Sequence, residues 1–528
     1  MATDLQISAR KISSVDPSTG LVLHEFDCAT VEDVESAVFH ARAAQPSWAD
    51  LGVRRRISVL REFQRKLHEN ASKVAELIAQ ETGKPVAEAL STEILVVLDA
   101  ARFLIDNAFG LLRDEPVPHG NLAAKLKRGI LVREPYGVIG IISPWNYPFS
   151  IPATETLAAL AAGNAVVLKP SEFTTHVALA LKSLLHASGA PEDIFQVIPG
   201  DGVTGSALVN SPVDKLVFTG SVATGKRIAS AAAERLLPVV LELGGKDPMI
   251  VLDDSDLEVA SSAAVWGAFM NAGQTCLSVE RCYVHRSIYE PFLNACVEKT
   301  KQIAVTHGDD RNTDDHLTDV GPLIHGRQLR LVEDHVEDAR ARGARVLIGG
   351  SRYPEAGKNF YHPTILGDAN HDMRIMREET FGPVLPVMAF ESDDEAVRLA
   401  NDSEFGLAAS VWTRDRARGE RLARRIHAGT VMVNDVISCF AISEAPHGGV
   451  KSSGIGRTHG RFGLEEMVRV KYLDRDLLPG MKKVWWYGYG SRFREQMEAF
   501  LDFQFAPGFA RRLRGAAKSA SMLMRKRI

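Results

Sequence analysis

At 528 residues the chain is long enough for two to four domains, with 45% hydrophobic and 24% charged residues and a formal net charge of −4. That balance excludes a generally basic nucleic-acid binder, and a chain of this size buries ample core without disulfide or metal staples. Five scattered cysteines (Cys28, Cys276, Cys282, Cys296, Cys439) show no CxxC pair or ligand spacing, so no metal site is expected and a reducing, cytoplasmic location is. The apolar runs are too short for a membrane span, and the N-terminal MATDLQISARKISSVDPSTG has no apolar signal core. Charge is nevertheless uneven. Residues 508–528 carry seven Lys and Arg and no acid, which leaves the remainder at −11.

In chain order, residues 30–115 read as helical, with long apolar-periodic stretches such as ISVLREFQRKLHENASKVAELIAQETG. Residues 121–137 alternate and are expected to form a hairpin. From Gly137, β-branched runs alternate with amphipathic patterns: VIGIIS (138–143), a helix near 151–162, AVVL (165–168), a helix near 174–188, IFQVI (194–198), KLVF (215–218), a helix near 223–235 and PVVLEL (238–243). Continuous apolar strands alternating with helices predict an α/β fold whose parallel sheet is covered on both faces. A second such unit follows through PMIVL (248–252), ARVLIGG (344–350), VLPVMAF (384–390), AASVWT (408–413) and TVMVN (430–434). A Gly-rich stretch (447–460), a strand at 468–473 and a tail complete the chain, with no internal repeat.

Gly220 to Gly225 (GSVATG) follows the strand KLVF and opens a helix, a setting whose free N–H groups attract phosphate. The spacing is not GxGxxG, and an ordinary strand-to-helix turn reads equally well. The GIG of 454–456 lacks the strand-then-helix setting and reads as a turn. Lys169 and Glu172, in LKPSE, end a strand where α/β folds bind ligands, and a carboxylate there can accept ribose hydroxyls; a solvated loop pair is the plainer reading. Three residues suggest covalent catalysis: Cys276 in NAGQTC as a nucleophile, Glu242 at the end of PVVLEL to activate water, and Asn146 in PWNYP to stabilise an oxyanion. Singly, each is a weak signal: most lone cysteines are buried hydrophobes, and Glu242 reads as well as a simple ion pair. Cys282, Cys296 and Cys439 fit the core reading better.

PWNYP (144–148), NAVVLKPSE (164–172), FTGSVATG (218–225), LELGGKDP (241–248), NAGQTC (271–276), EETFGPV (378–384) and GGVKSSGIGR (448–457), taken in order, closely resemble the aldehyde dehydrogenase superfamily, NAD(P)-dependent and hydrolytic, over roughly residues 15–475. The 34-residue gap from Glu242 to Cys276 matches the family's base-to-nucleophile spacing. The resemblance implies an oxidoreductase with a Rossmann-like NAD-binding domain (1–118, 137–241 and 442–464), a second α/β catalytic domain (242–441) and oligomerisation strands (119–136 and 465–478); beyond most of it lies an aromatic, basic C-terminal tail (479–528). It implies that Cys276 forms a thiohemiacetal and then a thioester, with the oxyanion on Asn146 and the Cys276 backbone N–H, and that Glu242 drives hydrolysis to a carboxylic acid. Cofactor contacts are implied at Ser143, Trp145, Lys169, Ser171, Glu172, Gly220, Ser221, Gly225, Glu379 and Phe381, with NAD favoured over NADP because Glu172 repels a 2′-phosphate. His447 stands where many relatives carry Phe and is expected to be a surface-loop histidine.

The resemblance also implies a homodimer or homotetramer acting on a small-molecule aldehyde, without nucleic acid. An apolar medium- or long-chain aldehyde is expected. The alternatives are a semialdehyde such as succinic semialdehyde, a CoA-acylating enzyme (against which Glu242 speaks) and a non-catalytic protein on the same scaffold. In the tail, 491–505 reads as a helix with Phe493, Met497, Phe500 and Leu501 on one side, broken at Pro507 and Gly508 before a basic segment bearing Phe509, Leu513, Met522 and Leu523. It is expected to cap a substrate funnel or touch an anionic membrane peripherally. The plainer expectation is a helix on a partner subunit with a disordered basic end.

Overall fold

The computed structural model describes residues 10–121, 124–305, 318–483 and 485–520. It divides into two compact units, residues 1–113 with 133–469 and residues 114–132 with 470–528.

The larger unit contains both expected α/β parts. Its six-stranded sheet runs in the order Gly454–Ile455, Val239–Glu242, Lys215–Thr219, Val138–Ile142, Ala165–Lys169, Phe195–Val197. All its pairings are parallel except that of Gly454–Ile455 with Leu241 and Glu242. Every residue of Val138–Ile142 and of Ala165–Lys169 is buried, as strands covered on both faces require. Each fully buried aliphatic side chain there contributes about 1.5–3 kcal/mol. The covering helices include Ser150–Ala162, Thr175–Ala187 and Val222–Ala233, close to the predicted spans. The predicted N-terminal helical region is Val31–Asp50, Val53–Glu69, Ala71–Thr82 and an almost continuous run from Val86 to Leu112.

The seven-stranded sheet runs Arg345–Ile348, Thr364–Gly367, Val384–Phe390, Val279–His285, Asp247–Val251, Ala408–Trp412, Thr430–Val433, antiparallel only at its first pair. Its core is a cluster separate from that of the six-stranded sheet. Strands Lys11–Val15 and Val22–Asp27 form an N-terminal antiparallel pair that the sequence reading did not anticipate.

In the smaller unit the expected hairpin over 121–137 is displaced. Lys127–Pro135 is one strand, and its antiparallel partner is Glu115–Val117, with Pro116 opposite Ile130. The run KRGILVREP contains no turn dipeptide, so the chain reverses earlier, around His119 and Gly120. Val468–Asp476 lies on the other side of Lys127–Pro135. Helix Ser491–Phe505 has the predicted bounds, but Leu501 is exposed. The basic segment is helical over Phe509–Ser519 and packs on the preceding helix at Gly515, where a Cβ would stand 2.4 Å from the Phe503 nitrogen. Phe509 and Leu513 project outward. Met522 and Leu523, with Arg525, Lys526 and Arg527, lie outside the described residues. Among the described residues no helix is long and apolar enough to cross a membrane.

Candidate active site

The candidate residues gather where the strands of the six-stranded sheet end. Glu242 and Thr219 are the last residues of neighbouring strands, and Ser143 to Asn146 directly follow Val138–Ile142. Side chains at these carboxyl ends face a crevice instead of a neighbouring strand, which is why open α/β sheets bind ligands there. The crevice is a cleft of about 300 Å³ lined by Trp145, Asn146, Gly220, Ser221, Glu242, Cys276, Glu379 and Phe381, together with Thr219, His325, Arg327, Gln328, Ile151, Leu243 and Leu331. Lys169, Ser171, Glu172, Ser143 and Gly225 do not line this cleft.

Cys276 follows a tight turn between helix Leu257–Phe269 and strand Val279–His285. Asn271 and Ala272 have φ of 54° and Gly273 of 72°, so three successive residues adopt the left-handed conformation that doubles the chain back. Gln274 Nε2 donates to Asn271 O at 3.0 Å, and Asn271 Nδ2 donates to Asn146 O at 3.0 Å. Gly245 lets the turn approach: a Cβ there would stand 2.4 Å from the Cys276 carbonyl oxygen. Cys276 is half-buried; the other four thiols are buried. Burial, then the carboxylates of Asp247, Glu379 and Glu242, push the Cys276 thiol well above its usual range.

Asn146 is buried, and its Nδ2 donates to Gln274 O at 3.0 Å, two residues before Cys276. Its backbone is held from beneath by Lys84, whose Nζ donates to Asn146 O and to Glu93 Oε1, each at 2.8 Å. Glu93 Oε2 in turn accepts from the backbone N–H of Phe149 and Ser150. Neither Lys84 nor Glu93 was singled out from sequence; both sit in an ordinary-looking helical stretch, and only a pair of buried opposite charges distinguishes them.

Glu242 is 4% exposed and neither carboxylate oxygen has a hydrogen-bond partner. Burial and the neighbouring Glu155 raise its pKa well above the usual carboxyl value. His447, expected on the surface, is buried at 5% exposure with its Nε2 3.9 Å from Glu242 Oε2. A two-way backbone pairing with Thr458 at 2.8 Å draws it inward, which the Gly-rich sequence around it disguised.

A nucleotide could be held from this crevice along the strand ends toward Lys169, the last residue of Ala165–Lys169. Ser221 caps helix Val222–Ala233, accepting from Thr224 N at 3.4 Å and leaving first-turn N–H groups for a phosphate. Glu379 is pushed up to about 8 by burial, and its Oε1 accepts from Gly245 N. A Cβ at Gly244 would stand 2.5 Å from Glu379 Oε2, so that glycine forms the carboxylate's cradle. The loop that carries Glu379 and Phe381 is clamped from two sides. Glu280, paired with Lys246 at 2.5 Å, accepts from Thr380 N and Phe381 N, while Gln328 donates to both carbonyls. Phe381, at φ 52°, meets Trp145 edge-on at 5.6 Å between centroids. Glu172 has a 38% exposed side chain, 3.6 Å from the nearly buried Lys169 ammonium, as a carboxylate offered to ribose hydroxyls requires. Ser171 caps the local loop, and Ser143 Oγ is buried without a partner. These donors and acceptors fit a dinucleotide. Gly225 serves packing: a Cβ there would meet Leu243 at 2.5 Å.

Comparison with known proteins agrees with this geometry. The chain matches the aldehyde dehydrogenase family over residues 5–473. It is 39% identical over 497 residues to the 4,4′-diapolycopene aldehyde oxidase of Methylomonas sp, covering 93% of this chain and 91% of that protein. It is 40% identical over 448 residues to a Mycolicibacterium smegmatis protein provisionally named succinate-semialdehyde dehydrogenase [NADP(+)], covering 84% and 85%. Its structure superposes with a TM-score of 0.84 on the NAD-dependent aldehyde dehydrogenase from Sinorhizobium meliloti, at 35% identity over 89% of this chain and 92% of that one. A thiol, an acid and an amide converge on a nucleotide-sized crevice in a chain so matched, and the protein is a member of the aldehyde dehydrogenase family, an NAD(P)-dependent oxidoreductase.

Proposed function

We propose that the chain oxidises an apolar, medium- or long-chain aldehyde to its carboxylic acid, with NAD preferred. The observation that carries the chemistry is that Cys276, Asn146 and Glu242 line one cleft. As its S–H proton is lost to solvent, the Cys276 sulfur attacks the aldehyde carbon, and the Asn146 amide with the Cys276 backbone N–H receives the oxyanion. A bound nicotinamide supplies the hydride acceptor. Glu242 then takes a proton from the water that cleaves the resulting thioester. Cys276→Ala should abolish NADH formation from every aldehyde, and Glu242→Gln should keep a pre-steady-state burst while turnover falls. Full activity in Cys276→Ala would end this reading.

Ser221 and its turn would hold the pyrophosphate, Lys169 and Glu172 the adenosine ribose, and Glu379 the nicotinamide ribose. Ser143, Trp145, Ser171, Gly220 and Phe381 are assigned to the same cofactor, and Gly225 to the loop's backbone. NAD preference rests on Glu172, and the NADP named for one relative makes this a preference instead of an exclusion. Residues 1–118, 137–241 and 442–464 are assigned to the NAD-binding domain, 242–441 to the catalytic domain, and 119–136 with 465–478 to oligomerisation. Strand Val468–Asp476 is exposed over nearly its whole length at a sheet edge, which suits pairing with a second copy in a homodimer or homotetramer. A monomer by light scattering would remove that part.

An apolar substrate is supported by Ile151, Leu243 and Leu331 in the cleft and by the aldehyde in the Methylomonas relative's name. The second reading, a semialdehyde, has the mycobacterial relative's name and Arg327 in its favour. Comparing kcat/KM for decanal and succinic semialdehyde separates them. The tail helix Phe509–Ser519 pairs exposed Phe509 and Leu513 with Arg511, Arg512, Arg514 and Lys518, which suits peripheral contact of a cytoplasmic enzyme with an anionic membrane. Phe509→Glu with Leu513→Glu should weaken sedimentation with phosphatidylserine vesicles. Equal sedimentation would leave the tail a structural role.

A further inference from the structure

Among the described residues His447 is the one side chain that pairs with Glu242, at 3.9 Å, and the pair is closed off from solvent, at 6% and 5% side-chain exposure. Around them stand further titratable groups, among them the Cys276 thiol, which the Glu242 carboxylate helps push up. Glu155, on helix Ser150–Ala162, accepts from Thr219 Oγ1 at 3.2 Å and leaves its other oxygen without a partner. Arg457 donates to the Gly449 and Gly456 carbonyls, and Glu466 pairs with Lys215 at 2.6 Å. The His459 ring lies 5.8 Å from that of His447, with Phe440 edge-on to both at 5.1 and 4.6 Å. His459 Nε2 is buried without a partner. Glu155 and Glu466 both disfavour a charge on Glu242, and Arg457 opposes them. A buried carboxylate that must be ionised to accept a proton, beside a second carboxyl, therefore needs a donor, and the imidazole is the group within reach.

Burial, then His459 and Arg457, hold the His447 imidazole down at about 3, so it is uncharged throughout the working range and carries one ring N–H. A neutral donor suits this place, because a charged one would be costly to bury. Closing 3.9 Å to a hydrogen bond takes about 1 Å, within a torsional adjustment of the Glu242 side chain. A Cβ at Gly448 would stand 2.8 Å from Glu242 Oε1, so the backbone beside His447 leaves the carboxylate room for that adjustment.

We propose that His447 is a positioning residue for Glu242: its Nε2–H donates to the Glu242 carboxylate, keeps it ionised and orients its other oxygen toward the attacking water. This rests on the reading of Glu242 as the base of thioester hydrolysis. In that step a water O–H bond breaks, the proton goes to the free Glu242 oxygen, and the water oxygen bonds to the acyl carbon. The Cys276 sulfur leaves with the electron pair of the broken C–S bond, and His447 keeps its own proton.

The test uses the full-length enzyme with NAD and a saturated aldehyde, in stopped flow and at steady state across pH 5.5–10. His447→Phe keeps a ring and removes the donor; His447→Gln restores an N–H. A charge-assisted hydrogen bond corresponds to a shift of about one to two pH units. The acidic limb of the steady-state profile should move up by that amount in His447→Phe and turnover below neutral pH should fall about 10-fold or more, while the NADH burst is unchanged. His447→Gln should recover most of both. If the His447→Phe profile superimposes on that of the wild type, or Gln and Phe are equally shifted, the positioning role is wrong. Glu242→Gln separates the two readings. Lost turnover with a retained burst there, beside an unshifted His447→Phe, overturns only the His447 role. Normal turnover in Glu242→Gln overturns both.

Discussion

Lys84→Met tests whether the oxyanion donor depends on charges buried beneath it. Lys84 and Glu93 have 0% exposed side chains and meet at 2.8 Å, and the ammonium also lies 4.1 Å from the Tyr147 ring centroid. Methionine nearly preserves the stem's volume, so the loss is electrostatic. Glu93 becomes a buried carboxylate without its cation, and the Asn146 carbonyl loses one of its two donors. Removing one partner of a buried pair costs about 3–5 kcal/mol. Displacement of the Asn146 amide should further reduce acylation by about 10²–10³, the usual cost of an oxyanion donor. The melting temperature by scanning fluorimetry should fall by several degrees and the amplitude-normalised burst rate should drop. The double variant Lys84→Met, Glu93→Gln removes the stranded charge and keeps an acceptor for Phe149 and Ser150, so it should be more stable than Lys84→Met alone. Wild-type melting and burst in Lys84→Met would refute the argument.

The cofactor-free enzyme should be inactivated by iodoacetamide only slowly at neutral pH, with a rate still rising above pH 9, because burial and Asp247, Glu379 and Glu242 raise the Cys276 thiol; a plateau near pH 7 would contradict this. Glu172→Ser should shift the NAD-to-NADP ratio of kcat/KM toward NADP by about 10-fold, since one carboxylate near a solvated site discriminates by roughly 1–2 kcal/mol. Gly245→Ala should destabilise the protein and slow the burst, as its Cβ would stand 2.4 Å from the Cys276 carbonyl oxygen, a backbone atom that must move. Burial holds Glu155 at about 8, above the usual 4.5, so the folded state keeps a proton that the unfolded chain gives up. Stability linked to it is present below about pH 4.5 and lost as pH rises through 8, so Glu155→Gln should gain on the wild type from pH 5 to 8 by on the order of a few kcal/mol in urea unfolding.

The sequence alone determined the alternation of apolar strands and helices, because a strand covered on both faces must be continuously apolar; Val138–Ile142 and Ala165–Lys169 are legible for that reason. It also determined the helix Ser491–Phe505, and the candidates Cys276, Glu242 and Asn146 through residue types set among turn signals. Tertiary structure decided the rest, because local patterns do not record what meets across the fold. The reversal near His119 puts the hairpin's first arm in Glu115–Val117, between the helical reading that stops at 115 and the hairpin expected from 121. The basic segment after Pro507 is a helix packed at Gly515, a contact invisible in its composition. Lys84, Glu93 and Glu280 support the site through Asn146, Phe149 and Thr380, all far away in sequence, and no periodicity marks a charge that will be buried and paired. His447 reads as a surface residue in a Gly-rich run until its pairing with Thr458 turns it beside Glu242. Burial and proximity set what these side chains can do, and both are properties of the folded chain.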